Sequence, residues 1–211
     1  MEAIDSAALL DILQAMAKKM ESEKDYLTEL DNEIADGDHG INLARGFAAV
    51  EEKLPSLAGK DIGTILKTAG MQLVSKVGGA SGALYGTFFM KAGMAAKGLD
   101  TLDGAALVKV LGAGVEGIKS RGKATTGEKT MLDAWVPALE ALDAGLTSGQ
   151  SLADALGDAV GAAEEGVEYT KTIIATKGRA SYIGERSLGH QDPGATSTLY
   201  MLQVLQQAVQ G

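Results

Sequence analysis

Residues 5–20 read "DSAALLDILQAMAKKM". Leu9, Leu10, Leu13, Met16, Ala17 and Met20 recur there at the spacing that stacks side chains on one face of an α-helix, and Asp5 or Ser6 stands where a helix cap is wanted. The same period recurs on either side of every later break, at about 22–34, 40–53, 61–77, 82–97, 102–119, 130–145, 151–176 and 195–209. Strand-like alternation is nearly absent. The pattern predicts an all-α protein, and its many alanines and glycines let helices approach closely, as in a compact bundle or a closed ring of antiparallel helices.

Composition narrows the function classes. With 211 residues and 45% apolar content the chain is long enough for a real core and is read as one domain, 1–211. No run of eighteen apolar residues occurs, and the N-terminus "MEAIDSAALL" carries acids where a signal peptide carries lysines, so a soluble, cytoplasmic protein without membrane association is expected. A formal charge of −9 opposes a phosphate backbone, and 4% aromatic content offers few stacking platforms, so nucleic acid is a poor partner. Absence of cysteine removes disulfides, thiolate catalysis and zinc-thiolate sites. A small ligand, drawn by a metal or a local basic loop, fits better.

Polar, glycine-bearing junctions separate the helices: "ADGDHG" at 35–40, "GGASG" at 78–82, "RGKATTGEKT" at 121–130 and "KGRASYIGERSLGHQDPG" at 177–194. In an up-and-down topology alternate junctions share one end, so several can converge on one site. Two apparent motifs fail. "GAGVEG" at 112–117 matches a dinucleotide fingerprint, yet Leu107, Leu111, Val115 and Ile118 run through it at helical spacing, so its glycines are read as helix-packing positions. "GIKSRGKA" at 117–124 lacks the metal-binding hydroxyl of a P-loop at Ala124.

"DNEIADGDHG" at 31–40 crowds carboxylates, an arrangement that is costly unless a cation neutralises it or water screens it. Asp31, Asp36 and Asp38 at i, i+5 and i+7 cannot converge on a continuous helix, but Gly37 and Gly40 break the helix and let the chain fold back. All-oxygen ligands favour Mg²⁺ or Ca²⁺; a helix C-terminus followed by a solvated acidic turn accounts for the stretch equally well. "GGASG" presents consecutive backbone N–H groups at a helix start, suited to an anion or to a plain connection. Asp192 and Pro193 read as N-cap and first residue of the last helix. Arg121, Lys123 and Arg179 supply the concentrated positive charge near turns, whereas His39 and His190, taken singly, read as hydrogen-bonded structural residues.

Together "EIADGDHGINLARGF", "SKVGGASGALYGTFF", "SRGKATTGEKTMLDAW" and "KGRASYIGERSLGHQDPGATS" resemble the nucleotide-binding L subunits of bacterial dihydroxyacetone kinases, in order and over nearly the whole chain. The resemblance implies a barrel of eight antiparallel helices with ADP (or ATP) as a tightly bound cofactor and two Mg²⁺ at one end. It implies that Asp31, Asp36 and Asp38 hold the metals and that His39, Gly40, Ile41 and Asn42 line the phosphate side. Ala80 and Ser81 fall in the phosphate-binding glycine loop, and Gly122, Met131, Arg179, Asp192, Pro193 and Gly194 match positions that enclose the nucleotide. Glu33 matches no metal role and is left as helix surface.

The single domain and the "DGDHGIN" motif resemble the phosphotransferase-system branch. The implied activity, in glycerol metabolism, passes a phosphoryl group from a phosphohistidine donor subunit through bound ADP to dihydroxyacetone held on a partner subunit. Alternatives are an ATP-dependent kinase subunit for another small ketose, and a nucleotide-sensing partner of a transcription regulator.

Overall fold

The computed structural model describes residues 2–211, and helices dominate it. They are α1 Ser6–Ser22, α2 Lys24–Ile34, α3 His39–Lys53, α4 Ile62–Lys76, α5 Gly79–Ala95, α6 Gly104–Gly122, α7 Leu132–Thr147, α8 Leu152–Thr170 and α9 Pro193–Gln210. Short 3-10 segments occupy Leu54–Leu57 and Arg179–Ser187. Side-chain caps explain several starts: Asp5, Asp61, Asp103, Ser151 and Asp192 each accept a hydrogen bond from a backbone N–H in the first turn they precede. β1 (Ile4–Asp5) pairs antiparallel with β2 (Thr101–Leu102), a two-residue ladder that the helical period does not predict.

Neighbours in sequence are neighbours in space from α3 through α9, each helix packing on the next, while α1 lies against both α9 and α3, and α2 touches α3 and α9. One apolar cluster fills the interior, with Phe47, Phe88, Phe89 and Trp135 at its aromatic centre. Trp135 stacks on Phe88 at 4.5 Å. Its indole N–H is the one buried side-chain polar atom without a partner among the described residues. No helix is long and apolar enough to cross a membrane.

Close backbone approach explains the small residues. Across α4 and α5 a Cβ on Gly70 would lie 2.7 Å from the Gly86 carbonyl, and one on Gly93 would lie 2.7 Å from the Gly63 carbonyl, so the two helices touch backbone to backbone at two levels. The glycines of "GAGVEG" lie inside α6, where Gly114 faces the Phe88 ring and Gly117 faces Lys91. Helix packing, not a dinucleotide turn, is their role.

Several boundaries differ from the sequence reading; α6, for one, ends at Gly122 rather than 119. α8 ends at Thr170 rather than near 176, and α5 starts at Gly79 rather than 82, so most of "GGASG" is the first turn of a helix rather than a loop. The segment 177–194 also has structure of its own, the 3-10 turns of Arg179–Ser187.

Candidate functional site

The acidic stretch folds back at Gly37, whereas Gly40, expected to break the helix with it, is the second residue of α3. Gly37 adopts φ +71, in the left-handed region, and no Cβ fits there because it would sit 1.8 Å from Asn32 Oδ1. Beyond the turn, the backbone N–H groups of Asp38 and His39 donate to Asp31 Oδ2 at 2.9 and 3.2 Å. Asp31, Asp36 and Asp38 thereby bring carboxylate oxygens within 4.8 Å of one another. Asp31 is buried, Asp38 half-buried and Asp36 exposed. Burial raises the Asp31 pKa, the two backbone donors offset this in part, and the charges of Asp36 and Asp38 raise it further. Arg179 forms an ion pair with Asp36 from across the site. Three oxygen donors on a fold-back turn suit a hard divalent cation, whose charge would relieve the repulsion that Asp31 feels.

Opposite this cluster stand two helix N-termini. At the start of α5, Ser81 Oγ lies 2.9 Å from His39 Nδ1, and His39 Nε2 lies 3.0 Å from Ser197 Oγ in α9. Burial pushes the His39 pKa down to about 4 against the pull of the Asp38 charge, so the ring is neutral near pH 7 and bridges α3, α5 and α9. Tyr85 supports the bridge: its hydroxyl donates to the Gly194 carbonyl at 3.0 Å and meets Ser197 Oγ at 2.7 Å. At the start of α9, Asp192 Oδ2 accepts from the Ala195 N–H at 2.7 Å and Pro193 occupies the first turn. Burial pushes the Asp192 pKa up to about 7; the Asp133 and Asp31 charges act in the same direction, the Ala195 N–H and Lys129 against it.

Between these walls lies an open cavity of about 120 Å³. Asp31, Asp36, Asp38, His39, Ala80, Ser81, Met131, Arg179, Asp192, Pro193 and Gly194 all line it, so most of the sequence-derived set converges. Gly40, Ile41, Asn42 and Gly122 do not. A Cβ on Gly40 would lie 2.0 Å from the Lys24 carbonyl, which makes this glycine a contact between α3 and α2. Ile41 faces solvent, Asn42 accepts from Arg45 Nη2 at 2.6 Å, and Gly122 sits behind Leu84, which itself lines the cavity. Arg121 and Lys123 are likewise outside it. His190 pairs with Glu33 at 3.0 Å, so Glu33 is more than helix surface: it holds α2 to the long loop. Sequence reasoning missed Lys129, Thr130, Lys177 and Gly178, which also line the cavity. All four lie in the glycine-bearing junctions 121–130 and 177–194, but nothing local distinguishes them within those stretches, because their placement depends on contacts distant in sequence.

A helical domain in which a carboxylate cluster faces two helix N-termini and a cationic loop across an open cavity has the donors to hold a cation and an anion together. Residues 33–207 match the DAK2 domain, and the chain belongs to that family. It is 52% identical over 184 residues, 87% of its length and 88% of the relative's, to the "PEP-dependent dihydroxyacetone kinase, ADP-binding subunit DhaL" of Escherichia coli strain K12. It is 34% identical over 202 residues to the human "Triokinase/FMN cyclase", covering 94% of this chain but 34% of that protein. Among solved structures, the dihydroxyacetone kinase from C. freundii in complex with AMP-PNP and Mg²⁺ superposes with a TM-score of 0.74 at 26% identity, over 96% of this chain and 34% of that one. The chain thus spans about a third of those two longer proteins.

Proposed function

We propose that this chain is the ADP-binding subunit of a phosphotransferase-system-dependent dihydroxyacetone kinase. It passes a phosphoryl group from a phosphohistidine donor protein, through resident ADP, to dihydroxyacetone held on a partner subunit in the cytoplasm. Its helices close as a barrel around the apolar core, with the site at one end. The observation that carries this reading is the fold-back of Asp31, Asp36 and Asp38 onto one point opposite Arg179 and the starts of α5 and α9. Identity of 52% to a DhaL subunit against 34% to a triokinase favours the subunit over the ATP-dependent ketose kinase. A transcription-regulator partner has no separate observation behind it.

Mg²⁺ ions, two by family resemblance, would be held by Asp31, Asp36 and Asp38 and would supply charge neutralisation between those carboxylates and the phosphates. Phosphoryl transfer needs little covalent help, so the protein's own residues mostly position and neutralise. Backbone N–H groups at Ala80, Ser81 and the start of α9 face the anion, with neutral His39 fixing the spacing between those two helix starts. Arg179 adds positive charge from the loop side. Met131, buried at the cavity wall, offers an apolar face to the base. Gly40, Ile41, Asn42 and Gly122 fit a supporting shell rather than direct contact. Native mass spectrometry of protein purified with Mg²⁺ but without added nucleotide should find close to one ADP per chain, released by chelation. Nucleotide-free protein at high Mg²⁺ would defeat the proposal.

A further inference from the structure

Lys129 is 1% exposed, and no other lysine is buried among the described residues. Lysine is almost never buried unless paired with an acid, yet Lys129, although the charges of Asp192 and Asp133 act on it, makes no direct ion pair among the described residues. Its ammonium instead donates to three backbone carbonyls, those of Thr170, His190 and, at 3.4 Å, Ile173. These lie on both sides of one neck: Thr170 ends α8, Ile173 lies in the segment that leaves it, and His190 belongs to the irregular segment returning to α9. Two further bonds close the neck, from the Gly189 N–H to the Lys171 carbonyl at 2.8 Å and from the Asp192 N–H to Thr170 Oγ1 at 3.0 Å.

The loop beyond the neck presents Lys177, Gly178, Arg179 and Ala180 to the cavity. The Ala175 N–H donates to Ser187 Oγ at 2.9 Å inside it, and Ala175 and Ala180 pack on Ile34 at the end of α2. Carbonyls converging from the end of α8 and from the returning segment make a negative point without a backbone donor of its own, and a cation answers it best. Lys129 reaches that point from a left-handed backbone, φ +62, an uncommon conformation for a residue with a Cβ.

We propose that Lys129 is a positioning residue whose ammonium clasps the neck of the 171–192 loop and thereby holds Arg179 over the carboxylate cluster, where it meets the nucleotide phosphates. The part concerning phosphates rests on the Mg-ADP reading of the cavity; the clasp itself does not.

Hydrogen exchange of the full, nucleotide-free chain tests the clasp. In Lys129→Met the amides of Ala175 and Gly189 should exchange at least tenfold faster than in the wild type, with the interior of α8 and α9 unchanged. Because the chain has no cysteine, Lys129→Cys can be alkylated with 2-bromoethylamine in denaturant and refolded, which restores an ammonium of nearly the same reach; it should restore protection. Unaltered exchange in Lys129→Met, or no rescue, overturns the clasp. Mg-ADP titrated into stripped protein should bind at least tenfold more weakly to Lys129→Met and regain affinity in the aminoethylated form. A loosened loop with unchanged affinity overturns the positioning role, while a wild type that does not bind Mg-ADP counts against the proposed function and leaves the exchange result to decide the clasp. Should the variants fail to fold, acetic anhydride labelling of the wild type decides it: Lys129 should be acylated last among the lysines, and early acylation overturns the clasp.

Discussion

Asp36 is an exposed carboxylate whose partner, Arg179, is exposed as well, and such a pair contributes roughly 0–1 kcal/mol to stability. Asp36→Asn removes that pair but also relieves repulsion with Asp31 and Asp38, so without ligands the variant should melt within a degree or two of the wild type, or above it. Ligands present at about 100 times their dissociation constant add about 2.7 kcal/mol to a native state that alone binds them. For a chain of this size that corresponds to roughly 5–10 °C, most of which Asp36→Asn should lose in Mg-ADP. Melting curves in both conditions check it, and an equal effect in the two would remove Asp36 from the ligand set. Asp192 gives a pH test with a defined sign. Its folded pKa, about 7, lies above its ordinary 3.8, so the stability it contributes is complete below about pH 4 and is lost as pH rises through 7. Asp192→Asn keeps a capping side chain but cannot ionise. In chelator without nucleotide, the wild type should therefore lose several degrees relative to the variant between pH 5 and pH 8. His39, held down to about 4, acts oppositely as pH falls below 6.5, but it is common to both proteins and cancels in the difference. A melting difference that does not change with pH would contradict the buried, protonated Asp192. Both aspartates stood out in sequence, one in a crowded turn and one before a proline, yet neither burial nor the Arg179 partner did.

Helix α8 contains a contrast between two glycines. At Gly166 a Cβ would lie 2.0 Å from the Asp133 carbonyl at the start of α7, while at Gly161 nothing lies within 4 Å. Gly166→Ala must push α7 and α8 apart and should cost about 1–3 kcal/mol, whereas Gly161→Ala removes unfolded-chain entropy in a helix interior and should stabilise by roughly 0.5–1 kcal/mol. Denaturant titration of the two variants measures both, and the same sign for both would contradict the packing. In sequence these glycines look alike. The end of α8 was also illegible, since Ile173 and Ile174 continue an apolar pattern past Thr170. What stops the helix is tertiary: carbonyls that a further turn would engage go instead to Lys129, and that of Lys171 to the Gly189 N–H. The start of α5 is hidden for a local reason, because the two glycines before "AS" read as loop although Gly78 is its N-cap and Gly79 its first residue.

For the molecule as a whole, the proposed reading puts the nucleotide in the cavity of this chain and dihydroxyacetone on a partner subunit. The isolated chain should therefore fail to phosphorylate dihydroxyacetone from ATP, and should support transfer once the substrate subunit and a phosphohistidine donor are added. Brisk turnover by the chain alone with ATP would replace the subunit reading with that of a self-sufficient kinase. Helical class, most helix positions, the caps and the fold-back at Gly37 were determined by the sequence itself, because each depends on residues within one or two turns of one another. The same local logic exposed the acidic cluster and the capped start of α9. Only the tertiary structure decided the Lys129 clasp, the Glu33–His190 tie, the Arg179–Asp36 pair and the exclusion of Ile41 and Asn42 from the cavity wall. Those contacts join residues far apart in the chain; Glu33 and His190, for example, are 157 positions apart. No local period records such a pairing, which exists only when packing of the intervening helices brings the two backbones to the same end of the protein.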